Sequence, residues 1–167
     1  MTRPIITAFD WVPDFARGQV RDLRVRWALE EVGQPYDVLY LSQGEQKAGP
    51  HRGRQPFGQV PTYEEGDLIL FESGAILIYL AEKSGLFLPR DARARVQALE
   101  WLMWQVGGFG PMPGQVHHFL GVADPQDQRY GLERYSKETH RLYGVMDKRL
   151  AAHEFFAGEL SIADFAI

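Results

Sequence analysis

The sequence has 167 residues, of which 45% are hydrophobic and 24% are charged, and its formal net charge is −4. These proportions are typical of a folded globular protein and exclude an intrinsically disordered chain, and the lack of a basic excess argues against a nucleic-acid partner. The chain has no cysteine, which excludes disulfides, thiolate metal sites and a protein thiol nucleophile, so any reacting sulfur must arrive on a ligand.

The sequence shows no membrane or export signal. No apolar run approaches the roughly 20 residues that a membrane-spanning helix needs, and the first residues lack the apolar stretch of a signal peptide. We therefore expect a cytoplasmic protein with no membrane partner.

Residues 1–87 predict an α/β domain. Val20, Leu23 and Trp27, with Ala28 beside Trp27, fall at helical spacing on one face and predict a helix that ends at Gly33. The polar segment 42–58 carries only a weak helical signal. Other patterns predict four strands and one further helix, namely strands at 5–9, 36–41, 62–64 and 68–71, the last two forming a hairpin, and a helix at 73–83.

The rest of the chain, 91–167, predicts helices only, after a linker at 88–91. A first helix at 92–106 meets a Gly/Pro-rich interruption, in which Pro113 is expected to kink or break it. A long helix at 126–152 carries one apolar stripe, formed by Tyr135, Leu142, Tyr143, Met146 and Leu150.

Three segments together resemble the soluble glutathione transferase family. They are 24–36, the G-x-V-P turn at 58–61 followed by L-F-E-S-G-A-I at 70–76, and S-I-A-D at 161–164. The later half is similar to the bacterial nu-class and Ure2-like branch. The resemblance implies a thioredoxin-like domain at 1–87 and an all-helical domain at 91–167. Family members usually continue for tens of residues further, so we expect this helical domain to be incomplete.

The resemblance also implies an activity. The first expectation is a glutathione S-transferase, in which the thiol of bound glutathione attacks an electrophilic small molecule. The alternative is a glutathione-dependent disulfide-bond reductase, and a second alternative is a non-catalytic binding protein. Glutathione is the expected co-substrate, no metal is expected, and a homodimer is the expected assembly.

In this family glutathione lies beside a cis-proline and a helix start. Val60 and Pro61 match the first element, and the Val60 N–H and C=O would pair with the cysteinyl backbone. Glu72 and Ser73 match the second, where helix N–H groups attract the γ-glutamyl carboxylate; the alternative is that Ser73 is only an N-cap. Gln46 matches a glutamine that reaches glutathione, or is a solvated loop residue.

Activation of the thiol has no obvious residue, because Tyr, Ser and Cys are all absent between Ile5 and Val32. The catalytic candidates are Arg21, as a cation beside the thiolate, and Gln19, as an amide donor, with help from the N–H groups of the first helix. The alternative is that the arginines of this segment form a solvated basic face, consisting of Arg17, Arg21, Arg24 and Arg26.

Three further features lie in the second half. Arg134 matches a residue that reaches the glutathione of the neighbouring subunit, or else it pairs with Glu133 or Glu138 on its own helix. Ser161 and Asp164 are expected to form a structural capping box. The adjacent pair His117-His118 is not expected to bind a metal, because neighbouring helical side chains point about 100° apart.

Overall fold

A computed structural model of the chain describes residues 3–121 and 124–167. The chain divides into two compact units, Met1–Leu88 and Pro89–Ile167. Within residues 3–121 and 124–167, none of the helices has both the length and the apolar character that a membrane span requires.

The first unit is a four-stranded mixed sheet with helices. Strand order is β2-β1-β3-β4, with β1 parallel to β2 and antiparallel to β3. This arrangement confirms the predicted thioredoxin-like fold. Its elements are β1 (Ile5–Phe9), α1 (Asp22–Glu31), β2 (Asp37–Leu41), α2 (Gly49–Arg52), β3 (Thr62–Glu65), β4 (Leu68–Phe71) and α3 (Ser73–Ser84).

Strand directions bring several chain segments to one edge of the sheet, which we call the β1 carboxyl edge. Because β3 runs antiparallel to β1 and Ile6 pairs with Tyr63, the start of β3 lies near the end of β1. Thr62 pairs with Phe71, so the end of β4 lies there too. The helix α1 is the crossover between the parallel strands β1 and β2, so its N-terminus also faces this edge.

The apolar face that the spacing predicts for α1 is buried only in part. Leu23 and Trp27 are 38% and 46% exposed, whereas Val25, Ala28 and Leu29 are buried. The helix packs on α3 and β1, and these contacts, which periodicity alone does not reveal, select the neighbouring face. The end of the helix is as predicted, since Gly33 adopts a positive φ of 66° directly after it.

The far end of the β3–β4 hairpin is held by a polar cluster around Glu65. Lys83 donates to the two carboxylate oxygens at 2.5 and 2.6 Å. The hydroxyls of Tyr63 and Tyr79 donate to the same group at 3.0 and 3.1 Å. Lys83 holds the pKa of the Glu65 carboxyl below its ordinary value. The cluster therefore ties the C-terminal half of α3 to the hairpin through a carboxylate that must stay ionised.

Every regular element in the described part of the second unit is a helix. They are α4 (Ala92–Trp104), a π-helical turn at Gln105–Phe109, α5 (Pro111–Leu120), α6 (Pro125–Leu150) and α7 (Ile162–Ala166).

Pro113 does not break a helix, contrary to expectation. It lies in the first turn of α5, where a missing N–H leaves no helical hydrogen bond unmade. The widened turn at Gln105–Phe109 marks the interruption instead.

Aromatic rings pack beside this widened turn. Trp104 stacks on Phe109 with ring centroids 5.4 Å apart. The ring centroids of Trp101 and Phe156 are 5.1 Å apart. On α6 the predicted stripe is correct only in part, because Leu142 is buried whereas Tyr143 is 52% exposed.

The predicted capping box at the start of α7 is confirmed. The Ser161 side chain accepts from a backbone N–H of the first turn, and the Asp164 carboxylate accepts the Ser161 N–H at 2.9 Å. This reciprocal pair satisfies two groups that a helix start would otherwise leave open, which is a structural role.

We expect Glu65→Gln to lower the free energy of unfolding by about 1–3 kcal/mol at pH 7, because the charged group that accepts hydrogen bonds from Lys83, Tyr63 and Tyr79 is lost. The Glu65 pKa is lowered in the folded state, so this wild-type advantage is full above the ordinary carboxyl value of 4.5. The advantage disappears as the pH falls through the lower pKa that Glu65 has in the folded state. Urea unfolding of the wild type and of Glu65→Gln at pH 7 and pH 3 measures the difference in their free energies of unfolding.

Glu100→Gln, which removes an exposed carboxylate on α4, is the control and should leave stability unchanged. A Glu65→Gln deficit of equal size at both pH values would contradict the proposed role of the ionised carboxylate.

Candidate functional site

The Val60–Pro61 peptide bond is cis, as the resemblance implies. Val60 is largely buried, and among the residues that the structure describes neither its N–H nor its carbonyl oxygen has a hydrogen-bond partner. Pro61 has no N–H with which to continue the sheet. The backbone of Val60 therefore offers one donor and one acceptor at the β1 carboxyl edge, the pattern that an added extended peptide requires.

The start of α3 is built from Glu72 and Ser73. Glu72 is the N-cap and has a positive φ of 67°, a region that non-glycine residues rarely adopt. The alternative that Ser73 is the N-cap is wrong, because Ser73 is the first helical residue and is 4% exposed. Within the described part of the chain, neither side chain has a hydrogen-bond or ion-pair partner. The first helical N–H groups are also open, and they favour an anion.

These two elements are neighbours. Val60-Pro61 directly precedes β3 and Glu72-Ser73 directly follows β4, and the adjoining residues Thr62 and Phe71 are paired across the hairpin. The sheet register therefore places a backbone donor–acceptor pair, a carboxylate and an open helix N-terminus side by side.

Gln46 lies in a 3₁₀ turn, Glu45–Lys47, next to the cis-proline loop. A Cβ added to Gly58 would lie 3.3 Å from the Gln46 carbonyl oxygen, so the turn contacts the loop two residues before Val60. The side-chain oxygen of Gln46 accepts the Gly44 N–H at 2.7 Å. Its amide nitrogen has no hydrogen-bond partner among the residues that the structure describes.

Two buried polar residues behind the loop were missed in the sequence analysis. His51 and Gln55 are each 2% exposed. His51 Nε2 lies 2.7 Å from the Gln59 carbonyl oxygen, and Gln55 Oε1 accepts the Gln59 N–H at 3.3 Å. A polar, glycine- and proline-rich segment carries no periodicity that would signal buried side chains. The sequence feature that could have drawn attention to this segment is the position of Gln55 directly before Pro56.

The α1 N-terminus holds the candidates for thiol activation. Gln19 donates its amide to the Phe15 carbonyl at 2.9 Å, which occupies part of its donor capacity. Arg21 is half-buried and forms no ion pair with any residue that the structure describes. Asp22 is buried, and Arg26 donates to its carboxylate at 3.3 Å. Arg21 is thus a cation at the start of α1 that no described acid neutralises.

The four arginines of this segment do not form one solvated face. Arg17 pairs with Asp14 on the surface, whereas Arg26 lies 3.3 Å from the buried Asp22 carboxylate. Burial, together with the charge of Arg21, lowers the pKa of Arg24 to about 10. Burial likewise raises the pKa of Asp22 above its ordinary value, although Arg26 opposes this. The segment therefore concentrates partly desolvated positive charge near the β1 carboxyl edge.

Arg134 lies in the second unit, on the exposed surface of α6. Its two candidate partners are engaged elsewhere, since Glu133 accepts from Lys137 and Glu138 accepts from Arg141, each at 2.6 Å. Arg134 itself makes no ion pair in the described ranges. It lines a groove of about 490 Å³ together with Met112, Tyr130, Glu133, Tyr135, Lys137, Glu138 and Arg141.

No metal centre competes with this interpretation. In residues 3–121 and 124–167, no three side chains of His, Cys, Asp or Glu cluster in a way that could hold an ion.

Comparison with known proteins shows which family the chain is similar to. The model of the glutathione S-transferase N-terminal domain matches residues 15–82. The chain is 59% identical over 150 residues to the disulfide-bond oxidoreductase YfcG of Escherichia coli, a match that covers 83% of this chain and 68% of that protein. It is 37% identical to the disulfide-bond oxidoreductase YghU of the same organism, covering 84% of this chain and 51% of YghU.

A solved relative extends the match to three dimensions. The crystal structure of a glutathione transferase from Pseudomonas putida, with one glutathione disulfide bound per subunit, superposes with a TM-score of 0.87 at 34% identity. The match covers 99% of this chain and 73% of that one. With its thioredoxin-like first unit, its cis-proline loop and these relatives, the chain belongs to the glutathione transferase family.

Proposed function

We propose that the protein is a glutathione-dependent disulfide-bond oxidoreductase. The observation that carries this proposal is the 59% identity to YfcG, a protein named for that activity; YghU carries the same name. The chain spans 68% and 51% of these relatives. The comparisons thus favour the disulfide alternative of the sequence analysis over its first expectation, transfer of glutathione to an electrophile.

The open groups at the β1 carboxyl edge fit an extended γ-glutamyl tripeptide. The cysteinyl backbone would pair with the Val60 N–H and C=O, as one more strand would. The γ-glutamyl carboxylate would lie against the Ser73 hydroxyl and the open N–H groups of α3. Its ammonium would pair with Glu72, whose carboxylate has no partner in the described part of the chain. The Gln46 amide is a further donor to this ligand.

The absence of cysteine determines the form of the reaction. A glutathione thiolate attacks one sulfur of the substrate disulfide, forming a mixed disulfide and releasing one substrate thiolate. A second glutathione thiolate then attacks the glutathione sulfur of the mixed disulfide and releases the other substrate thiolate, which takes up a proton. The substrate gains two electrons, and two glutathione molecules become one glutathione disulfide, the ligand in the Pseudomonas putida relative.

Arg21 is our candidate for thiol activation. A cysteine-like thiol has an ordinary pKa of about 8.5, so only a small fraction is ionised at neutral pH. A guanidinium beside the sulfur favours the thiolate and lowers its pKa. Arg21 lacks an anionic partner in the described ranges, which leaves it available for this role, whereas Gln19 already donates to Phe15.

We also propose a homodimer in which Arg134 reaches the glutathione bound to the partner subunit. Its support is that both acids able to neutralise Arg134 on α6 are already paired with other cations.

We expect the protein to reduce a small disulfide, such as hydroxyethyl disulfide, with glutathione as electron donor. Coupled glutathione reductase and NADPH follow the glutathione disulfide formed. Conjugation of an aryl halide, measured in parallel, should be much slower, because the proposed site is committed to thiol–disulfide exchange. Rapid aryl transfer without disulfide turnover would instead support the transferase function.

We expect Ser73→Ala to weaken glutathione binding by about 1–3 kcal/mol, because a charged carboxylate loses a donor in a buried position. Isothermal calorimetry measures the change. Ser84→Ala, at the other end of α3, is the matched control and should bind like the wild type. Unchanged affinity for Ser73→Ala would remove this hydroxyl from the site.

We expect Arg21→Ala to raise the pH midpoint of the thiolate absorbance of bound glutathione, because the cation that favours the ionised form is lost. Ultraviolet titration of the complex measures it. Gln19→Ala should titrate close to the wild type. If both variants match the wild type, neither side chain activates the thiol, and the remaining α1 N–H groups are the activating donors.

A further inference from the structure

Two buried side chains form hydrogen bonds to the backbone of Gln59, the residue before Val60. His51 Nε2 bonds to the Gln59 carbonyl oxygen at 2.7 Å. Gln55 Oε1 accepts the Gln59 N–H at 3.3 Å, and its backbone carbonyl accepts the Gly58 N–H at 3.0 Å. Gln59 therefore has both its N–H and its C=O bonded to buried side chains of the α2 region instead of to the sheet.

The bond from His51 also determines where the Val60 N–H points. The Gln59 carbonyl and the Val60 N–H belong to one planar peptide group, and this bond is trans. In a trans peptide the C=O and N–H vectors point in opposite directions. Because the interior imidazole of His51 anchors the carbonyl oxygen, the Val60 N–H must point away from the interior, as a ligand at this edge requires.

The histidine makes this bond at a cost. A carbonyl oxygen only accepts, so Nε2 carries a proton, and in the neutral form of the ring Nδ1 is then an acceptor. Nδ1 is buried and has no partner among the described residues. A buried acceptor without a donor is destabilising, so the ring is poorly explained as simple core filling. The single bond to Gln59 accounts for a polar ring at this position.

We propose that His51 is a positioning residue for glutathione, holding the Gln59–Val60 peptide plane so that Val60 presents its N–H to the cysteinyl backbone. Gln55 supports the same loop from the N–H side of Gln59. This inference rests on the proposed glutathione site. His51 does not touch the ligand; it acts through the orientation of one peptide group.

The test compares four variants by calorimetry with glutathione and by thermal unfolding. His51→Phe keeps an aromatic ring and removes the donor. His51→Gln places an amide nitrogen where Nε2 lies, whereas His51→Asn, equally polar, is too short to reach. Tyr63→Phe removes a hydroxyl that is bonded to Glu65, the last residue of β3. This variant controls for a general loss of stability.

We expect His51→Phe and His51→Asn to bind glutathione on the order of tenfold more weakly, the effect of one misdirected hydrogen bond. His51→Gln should recover most of the affinity. In turnover the loss should appear as a raised KM for glutathione with kcat little changed, because the oriented group binds the peptide backbone and not the sulfur. Tyr63→Phe should bind like the wild type even if it unfolds earlier.

Equal affinities for His51→Gln and His51→Asn would overturn the proposal, and this pair decides the matter even if His51→Phe does not fold. Losses of binding that follow the losses of thermal stability across all four variants, Tyr63→Phe included, would overturn it as well. A wild-type protein that binds no glutathione would contradict the proposed function itself, which is a separate result from a wild type that binds normally and tolerates His51→Asn.

Discussion

The buried contact between Thr7 and Thr62 fixes the geometry on which the site depends. Both residues are fully buried, the Thr62 N–H donates to the Thr7 hydroxyl at 2.6 Å, and the two hydroxyls are 3.0 Å apart. The backbone pairing between β1 and β3 includes Ile5 and Ile6. At the next residue of β1, the hydroxyl of Thr7 accepts the hydrogen bond from β3 in place of a backbone carbonyl. This bond holds the first residue of β3 in the core while Pro61, with no N–H, leaves the sheet.

The functional edge follows from that anchor. Residues on the N-terminal side of Thr62 form the cis-proline loop, and residues after its partner Phe71 form the start of α3. The polar groups gathered there are of different kinds: a backbone donor and acceptor, a carboxylate, a hydroxyl and a helix N-terminus. Together they suit a ligand that carries both charges and a peptide backbone. The chain has no cysteine, so a reacting thiol at the same edge must belong to the ligand.

Sequence reasoning identified the elements whose determinants are local. Strands of β-branched residues, the glycine after α1, and the Ser161–Asp164 capping box depend on a few neighbouring side chains, and the structure has them where the patterns predict. The cis-proline came from the family motif and not from any local physical signal. Where long-range packing decides, the patterns predicted the burial of side chains only in part. The buried face of α1 depends on its contacts with α3 and β1.

The inner support of the site was the hardest part to predict. His51 and Gln55 lie in a segment that reads as a solvated loop, yet both are buried because the loop folds back over them to bond through Gln59. Burial of this kind depends on the path of the chain, which the residue types alone do not give. Arg21 shows the same limit, since the sequence left open whether it activates the thiol or belongs to a solvated basic face. Only the folded chain shows that Arg17 and Arg26 pair with acids.

The central claim is that glutathione binds as an extended peptide along Val60 with its γ-glutamyl carboxylate at the start of α3. The most direct measurement is a titration of the isotope-labelled protein with glutathione, followed by amide chemical shifts in NMR spectra. We expect the largest shifts at the amides of Val60, Ser73, Gly74 and Ala75, and none at the Glu65-Gly66-Asp67 turn at the far end of the hairpin. Saturable binding whose largest shifts fall elsewhere, with the Val60 and Gly74 amides unmoved, would contradict it.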